Sequence, residues 1–285
     1  MASLFTEVTP QYATAVTSAN LLASAITPTK PEHWQAGIAW RSELCPSYAL
    51  FDPCGDGPAV PDDNSSGLVY YRPVAFRVED SCITRNVGFE IARVRRMAEA
   101  VTSAAMAHEL WTGTATQAEP YDVPDGFGGT TADVTNAYLS GPTAEVISDA
   151  VADPMEALGL LEERARQAAG GQNVFLHVPN RITTQLGAQL RRVGNLIYTQ
   201  TDAVVVADPG YDGSGPASGD DTPPGVWCYA TGPVAAYVDP LTSIDAPDVT
   251  VDRRTNRRQV WAERMFAATF DPCCHFAIEI NAPAA

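Results

Sequence analysis

Apolar positions along this chain follow two periods, and the switch between them separates predicted helices from predicted strands. Between Gly88 and Gly113, Ile91, Val94, Ala98, Val101 and Ala105 recur at three- and four-residue steps. Arg93, Arg95, Arg96, Glu99 and Glu109 fall mostly off that seam, and no proline interrupts it. The spacing predicts one unbroken helix, roughly 33 Å long at ~1.5 Å per residue, of the kind that serves as a girder. A second helix is announced by Asp153-Pro154-Met155-Glu156, which reads as N-cap, first-turn proline and capping-box glutamate. It continues with Leu158, Leu161, Ala165 and Ala168 on one side and stops at Gly170-Gly171. Just before it, AEVISDAVA (144–152) reads as a short helical stretch.

From Asn173 the period shortens. NVFLHV is an apolar strand, followed by RITTQLGAQLRRVGN, where Ile182, Leu186, Leu190 and Val193 predict an amphipathic helix. LIYTQ and AVVVADPGY then read as strands, giving a βαβ-like stretch within a mixed α/β lobe. Further strands are predicted in LVYYRPVAFRVED, VWCYATGPVAAYV, DVTVDRRTNRRQVWAERMFAATFD and CCHFAIEI. Within the third of these, DRRTNRR is a hairpin tip with Thr255-Asn256 at the turn. Residues 1–40, 41–67, 114–142 and 209–225 lack either period and are rich in Pro, Gly and small polar residues. In the first of them Leu21, Leu22 and Ile26 suggest a turn or two of helix, and Trp34, Ile38 and Trp40 are heavier anchors.

Composition narrows the function classes. The 285 residues are 45% hydrophobic and 18% charged, which describes a globular chain large enough for a substantial core. No apolar run reaches the ~20 residues of a membrane-spanning helix, and the N-terminal stretch lacks a basic leader, so no membrane or secretory role is expected. The net charge of −16 argues against broad nucleic-acid binding but suits a surface that lies near packed DNA without sticking to it. Lys30 is the one lysine.

Candidate chemistry is sparse. No P-loop, GxGxxG, HExxH, GxSxG or DxDxDG pattern occurs, and no carboxylate pair is singled out by spacing. His33, His108, His177 and His275 are isolated in sequence; His177 and His275 lie in apolar strands, where a hydrogen-bonded core imidazole is the expected role. Cys274 and His275 are adjacent, so on a strand they point to opposite faces. The six cysteines at 45, 54, 82, 228, 273 and 274 include no CxxC pair, and buried free thiols are the default reading. Cys45 and Cys54 close the shortest plausible bridge. Neither a cofactor nor a metal site is expected.

The order of elements resembles that of the major capsid proteins of tailed bacteriophages, a fold shared with encapsulins and the herpesvirus capsid floor. GIAWRSELCPSYALFDPC, the helix end HELWTG and the closing WCYATGPV…DRRTNRRQVWAERMFAATFDPCCHFAIEI resemble capsid proteins of phages that infect actinobacteria. The resemblance implies an α+β fold with an N-terminal arm (1–40), an extended loop region (41–87), a peripheral domain with the spine helix (88–144), an inserted α/β axial domain (145–232) and returning peripheral strands (233–285). It implies a non-enzymatic subunit of an icosahedral head, assembled in the host cytoplasm as pentamers and hexamers around double-stranded DNA. The partners it implies are copies of the chain, scaffold, portal and decoration proteins. Its inter-subunit contacts would include Trp34, Trp40, Arg253, Arg254, Arg257 and Arg258, although both tryptophans could equally pack within their own chain. The axial loop from Gly210 to Gly225 would reach the capsomer centre. Some members weld subunits through Lys–Asn bonds from the extended loop, and residues 41–87 hold no lysine, so no weld is expected. Alternatives are an encapsulin-like compartment and a thiol or metal enzyme built on Cys228, Cys273, Cys274 and His275.

Overall fold

The computed structural model describes residues 20–41, 68–82, 87–124, 130–216, 225–243, 251–252 and 257–281. In chain order the elements are α1 (Leu21–Ser24), β1 (Ile38–Arg41), β2 (Leu68–Tyr71), β3 (Val74–Cys82), α2 (Val87–Thr112), α3 (Thr114–Ala118), β4 (Tyr121–Pro124) and β5 (Thr130–Val134). There follow β6 (Glu145–Val146), α4 (Pro154–Ala168), β7 (Phe175–His177), α5 (Asn180–Leu186), β8 (Arg191–Val193), β9 (Leu196–Tyr198) and β10 (Val204–Val206). The chain closes with β11 (Val226–Thr231), β12 (Ala235–Val238), β13 (Thr242–Ser243), β14 (Val251–Asp252), β15 (Arg257–Thr269) and β16 (His275–Ile280).

The predicted girder is α2, 26 residues long. Its buried seam runs through Val94, Ala98, Thr102, Met106 and Leu110 at strict four-residue steps. Val101 is instead 42% exposed, so the predicted seam turns away after Ala98. The partner changes along the helix: Val94 and Ala98 pack on Val260 and Ala262 of β15, whereas Met106, Leu110 and Trp111 join the core over the larger sheet. Thr102 is tolerated on the seam because its hydroxyl donates to the Ala98 carbonyl at 2.8 Å.

Two sheets flank this helix. The larger has seven strands in the order β6-β16-β11-β7-β10-β9-β8. α4 and α5 cover one face with Leu158, Leu161, Ala165, Ile182 and Leu186; the C-terminal half of α2, with Leu21 and Leu139, covers the other. The smaller has β12, β15 and β13 in line, with β14 and β3 also pairing with β15. Its longest ladder runs from Arg258↔Cys82 to Phe266↔Val74, so β3 and β15 form one long antiparallel ribbon along α2.

α4 begins as predicted, with Asp153 accepting from the Met155 amide at 2.9 Å and proline at its start. Four expectations fail. AEVISDAVA is not helical: Glu145 and Val146 form β6, parallel to β16, and Val151 bridges Ile280. Its β-branched residues gain more as a sheet edge than as an isolated turn of helix. The predicted helix over 181–195 stops at Leu186, because Gly187 adopts φ +48° and the chain re-emerges as β8, leaving Val193 51% exposed. Residues 114–134, expected as loop, hold α3 and the β4–β5 hairpin. The last strand, expected among those returning to the peripheral sheet, lies between β6 and β11 in the larger one. Phe276, Ile278 and Ile280 face the α4 side and Ala277 the α2 side, and only a sheet covered on both faces buries both sets.

Candidate assembly surfaces

The arm is seated where the helix, the larger sheet and its loop converge. Asp208, fully buried after β10, accepts from the Leu21 amide at 3.0 Å, the Ser103 hydroxyl at 2.6 Å and the Gly210 amide at 3.0 Å. Ser103 in turn accepts from the Leu22 amide at 3.2 Å, and Asn20 caps α1 through the Ala23 amide. Asp208, Ser103 and Asn20 thus satisfy one orphan amide each of a four-residue helix that could not stand alone. Farther along, Ile26 pairs with β12, donating to Val234 and accepting from the Ala236 amide, both at 2.8 Å. Gly210 makes the close approach possible: a Cβ there would lie 2.2 Å from the Ala104 carbonyl oxygen. Residues 210–216 therefore run across the spine helix, with Tyr211 buried against Trp111, and are not a protruding tip. Residues 217–224 of the loop assigned to the capsomer centre lie outside the described residues.

Trp34 packs within its own chain. It is 3% exposed, shares a cluster with Ile38 and Ala267, and stacks on Tyr237 with ring centroids 6.0 Å apart. Lys30 sits 5.5 Å over its ring and 3.1 Å from the Asp239 carboxylate. Trp40 belongs to β1, paired with Val69 of β2. Its side chain lies outside the described residues, as do Cys45, Cys54, Arg253, Arg254 and the side chains of Arg257 and Arg258. On either side of residues 253–256, Val251↔Arg258 and Asp252↔Arg257 pair β14 to β15.

The β1–β2 pair is the root from which residues 42–67 continue, and it is clamped to the body. Asn136 accepts from the Arg72 amide at 2.7 Å and donates to the Arg72 carbonyl at 2.8 Å. Tyr121 donates to Asn136 at 2.8 Å, and buried Tyr71 donates to the Phe270 carbonyl at 2.8 Å. Sequence reading missed Asn136, Tyr71 and Asp208; an isolated polar residue inside an apolar or loop segment was the available signal.

The solvent side of the β3–β15 ribbon is polar. Arg77 pairs with Glu263 at 2.7 Å and Glu79 at 3.5 Å and lies 4.6 Å over the Trp261 ring. Arg264 reaches from β15 to Glu99 on α2 at 2.6 Å.

Among the described residues, the core imidazoles and free thiols are taken up by hydrogen bonds and packing. His177 bonds Tyr211 Oη at 2.8 Å and Thr231 Oγ1 at 3.0 Å, and burial drives its pKa down to about 3. His275 bonds the Leu139 carbonyl at 2.9 Å and burial lowers its pKa to about 4. Both are the hydrogen-bonded core imidazoles that their strand positions predicted. Cys274 packs on the α4 side while His275 faces Tyr229 and Phe270 on the other. Cys228 and Cys274 are free and buried; burial raises both thiols, that of Cys274 to about 12, so neither offers a thiolate near neutrality. Cys273 differs from the free-thiol expectation, being disulfide-bonded. Among the described residues no group of three His, Cys, Asp or Glu side chains could hold a metal, and no helix is long and apolar enough to cross a membrane.

No family model matches this sequence, and no curated protein matches it at the sequence level. Solved structures do match, over nearly the whole chain. A chain of Gordonia phage Cozz aligns with a TM-score of 0.52 at 12% identity, covering 99% of this chain and 92% of its own. The capsid of the native GTA particle aligns at a TM-score of 0.50 and 10% identity, covering 99% and 94%. A virus-like particle from Pyrococcus furiosus aligns at 0.50 and 9%, covering 92% and 93%. With the spine helix, the clamped root of the extended region and the arm docked at Asp208, these likenesses show that the chain has the major capsid protein fold of tailed phages, the fold also used by a virus-like particle.

Proposed function

We propose that this chain is the structural subunit of an icosahedral phage head, assembling with copies of itself into pentamers and hexamers that enclose double-stranded DNA. The observation that carries the reading is the likeness in fold, over 92–99% of the chain, to shell-forming chains. Burial of the free thiols and both core imidazoles supports a subunit that assembles without catalysing a reaction. The net charge of −16 supports a shell that does not trap its packaged DNA. Scaffold, portal and decoration proteins are the further partners of such a head, and the host cytoplasm its place of assembly. Trp40 and the arginine hairpin at 253–258 remain the proposed inter-subunit contacts, and Cys45–Cys54 a proposed bridge.

Negative-stain microscopy and light scattering of the expressed chain test this reading. Closed particles or capsomer rings are expected, and a strictly monomeric species at high concentration would overturn it. With no lysine in residues 41–87, the particles should fall to single-chain bands on boiling in detergent and reductant. The alternative, an encapsulin-like compartment, is favoured by the likeness to the Pyrococcus furiosus particle and is separated by what is inside: a co-purifying cargo enzyme or packaged DNA.

A further inference from the structure

Both faces of the central strands of the seven-stranded sheet are covered from within the chain, so its two edge strands are what the sheet offers a neighbour. The edges are unlike. β8 carries Arg191, Arg192 and Val193, all exposed. Arg191 is engaged by Asp202 and stacks over Tyr198, whereas Arg192 has no anionic partner among the described residues. Beside it the wall opens into a groove of about 380 Å³ lined by Thr183, Thr184, Leu190, Arg192 and Ile197.

The opposite edge is acidic and bulged. Val146 pairs with Ala277 and Val151 with Ile280, so five steps on the outer strand span three on β16. The extra residues form a bulge on which Asp149 is exposed. Glu145 is committed to Arg164 at 2.8 Å and Asp153 to capping α4, while Asp149 has no cationic partner among the described residues. Exposed Val146 flanks the bulge as exposed Val193 flanks Arg192.

We propose that the Asp149 bulge at the β6 edge of one copy seats in the groove beside Arg192 at the β8 edge of the next copy. Contact between like edges would set arginine against arginine or aspartate against aspartate, and such juxtaposition is disfavoured. Unlike edges attract, and a contact between two different patches of the same chain is head-to-tail, the kind that closes into rings. Strand directions agree: β6 runs parallel to β16 and β8 parallel to β10, and through β11 and β7 both edges point the same way. Neighbours turned about one axis therefore present bulge to groove without reversal. The bulge blocks continuation of the hydrogen-bonded ladder, so side chains make the contact. This inference rests on the shell reading for the existence of rings and adds which edges meet.

The test is charge reversal and cross-linking in the full chain. Arg192→Glu or Asp149→Arg alone should each lower the assembled fraction about ten-fold at low salt, and the double exchange should recover it to within about two-fold. With Asp149→Cys and Arg192→Cys in one chain, oxidation should give a thiol-reversible ladder up to the ring size; either cysteine alone should give none above the wild-type background. If the wild type assembles but the exchange does not rescue, or a single cysteine variant yields dimers, the edge pairing is wrong and the shell reading stands. If the wild type never leaves the monomer, both fall.

Discussion

In the seven-stranded sheet, β7, β11 and β16 are buried on both faces, between α4 and α5 on one side and the end of α2 on the other. In the smaller sheet, β15 presents Val260, Ala262 and Phe266 to α2, and the other side of the ribbon carries Arg77, Glu79, Gln259 and Glu263 in water. The first region is a closed core that depends on packing. The second is a long, one-sided ribbon whose solvent face is held by ion pairs worth little to stability. The proposed shell role would use both: a rigid block, and an extended surface that leaves much of one face for neighbours.

The comparison breaks most decisively at Trp111, which is fully buried, meets Tyr229 and Tyr211 at 4.9 and 4.8 Å, and donates to Ser214. Trp111→Ala should cost about 3–5 kcal/mol in a denaturant titration, because it opens a cavity where helix, sheet and loop meet.

Next in size is a pH effect confined to the closed core. His177 and His275 have folded pKa values of about 3 and 4 against an ordinary 6.5, so the folded state disfavours their protonation. Their stabilising contribution is complete above pH 6.5 and is lost as pH falls toward those lower values, by about 2 kcal/mol per imidazole at pH 5. Melting temperature should therefore drop between pH 6.5 and 4, and His177→Gln with His275→Gln should flatten the slope.

Asp208→Ala should cost about 1–3 kcal/mol for each amide stranded at Leu21 and Gly210, and should expose residues 20–27 to limited proteolysis. Unchanged cleavage there would show that Leu21 and the Ile26 bridge hold the arm without the carboxylate. At the small end, Glu263→Gln on the ribbon should leave the melting temperature within experimental error, and a large drop would show that the ribbon's polar face is structural.

Where a segment's own period matched its final surroundings, the pattern was enough. Asp153-Pro154 opened α4, the run from Gly88 to Gly113 became α2, and two histidines in apolar strands became core imidazoles. Misreadings cluster where a partner decided. AEVISDAVA fits either a helix or an edge strand, and pairing with β16 chose the strand. Val101 and Val193 fit a helical stripe by spacing, but α2 changes partner along its length and Gly187 ends α5 early. At the assembly surfaces, Trp34 was readable as an anchor, yet whether it faces its own chain or a neighbour depended on Tyr237 and Ala267, more than 200 positions away.

What the sequence by itself determined is local: capping chemistry, apolar period, charge sign and the lack of catalytic motifs all act within a few residues. Only the tertiary structure decided which strands share a sheet, that β16 enters the larger one, and that Asp208 reaches the arm. Those outcomes arise from burying two apolar faces at once and satisfying the buried amides of Leu21 and Gly210, and such conditions join residues that no local pattern connects.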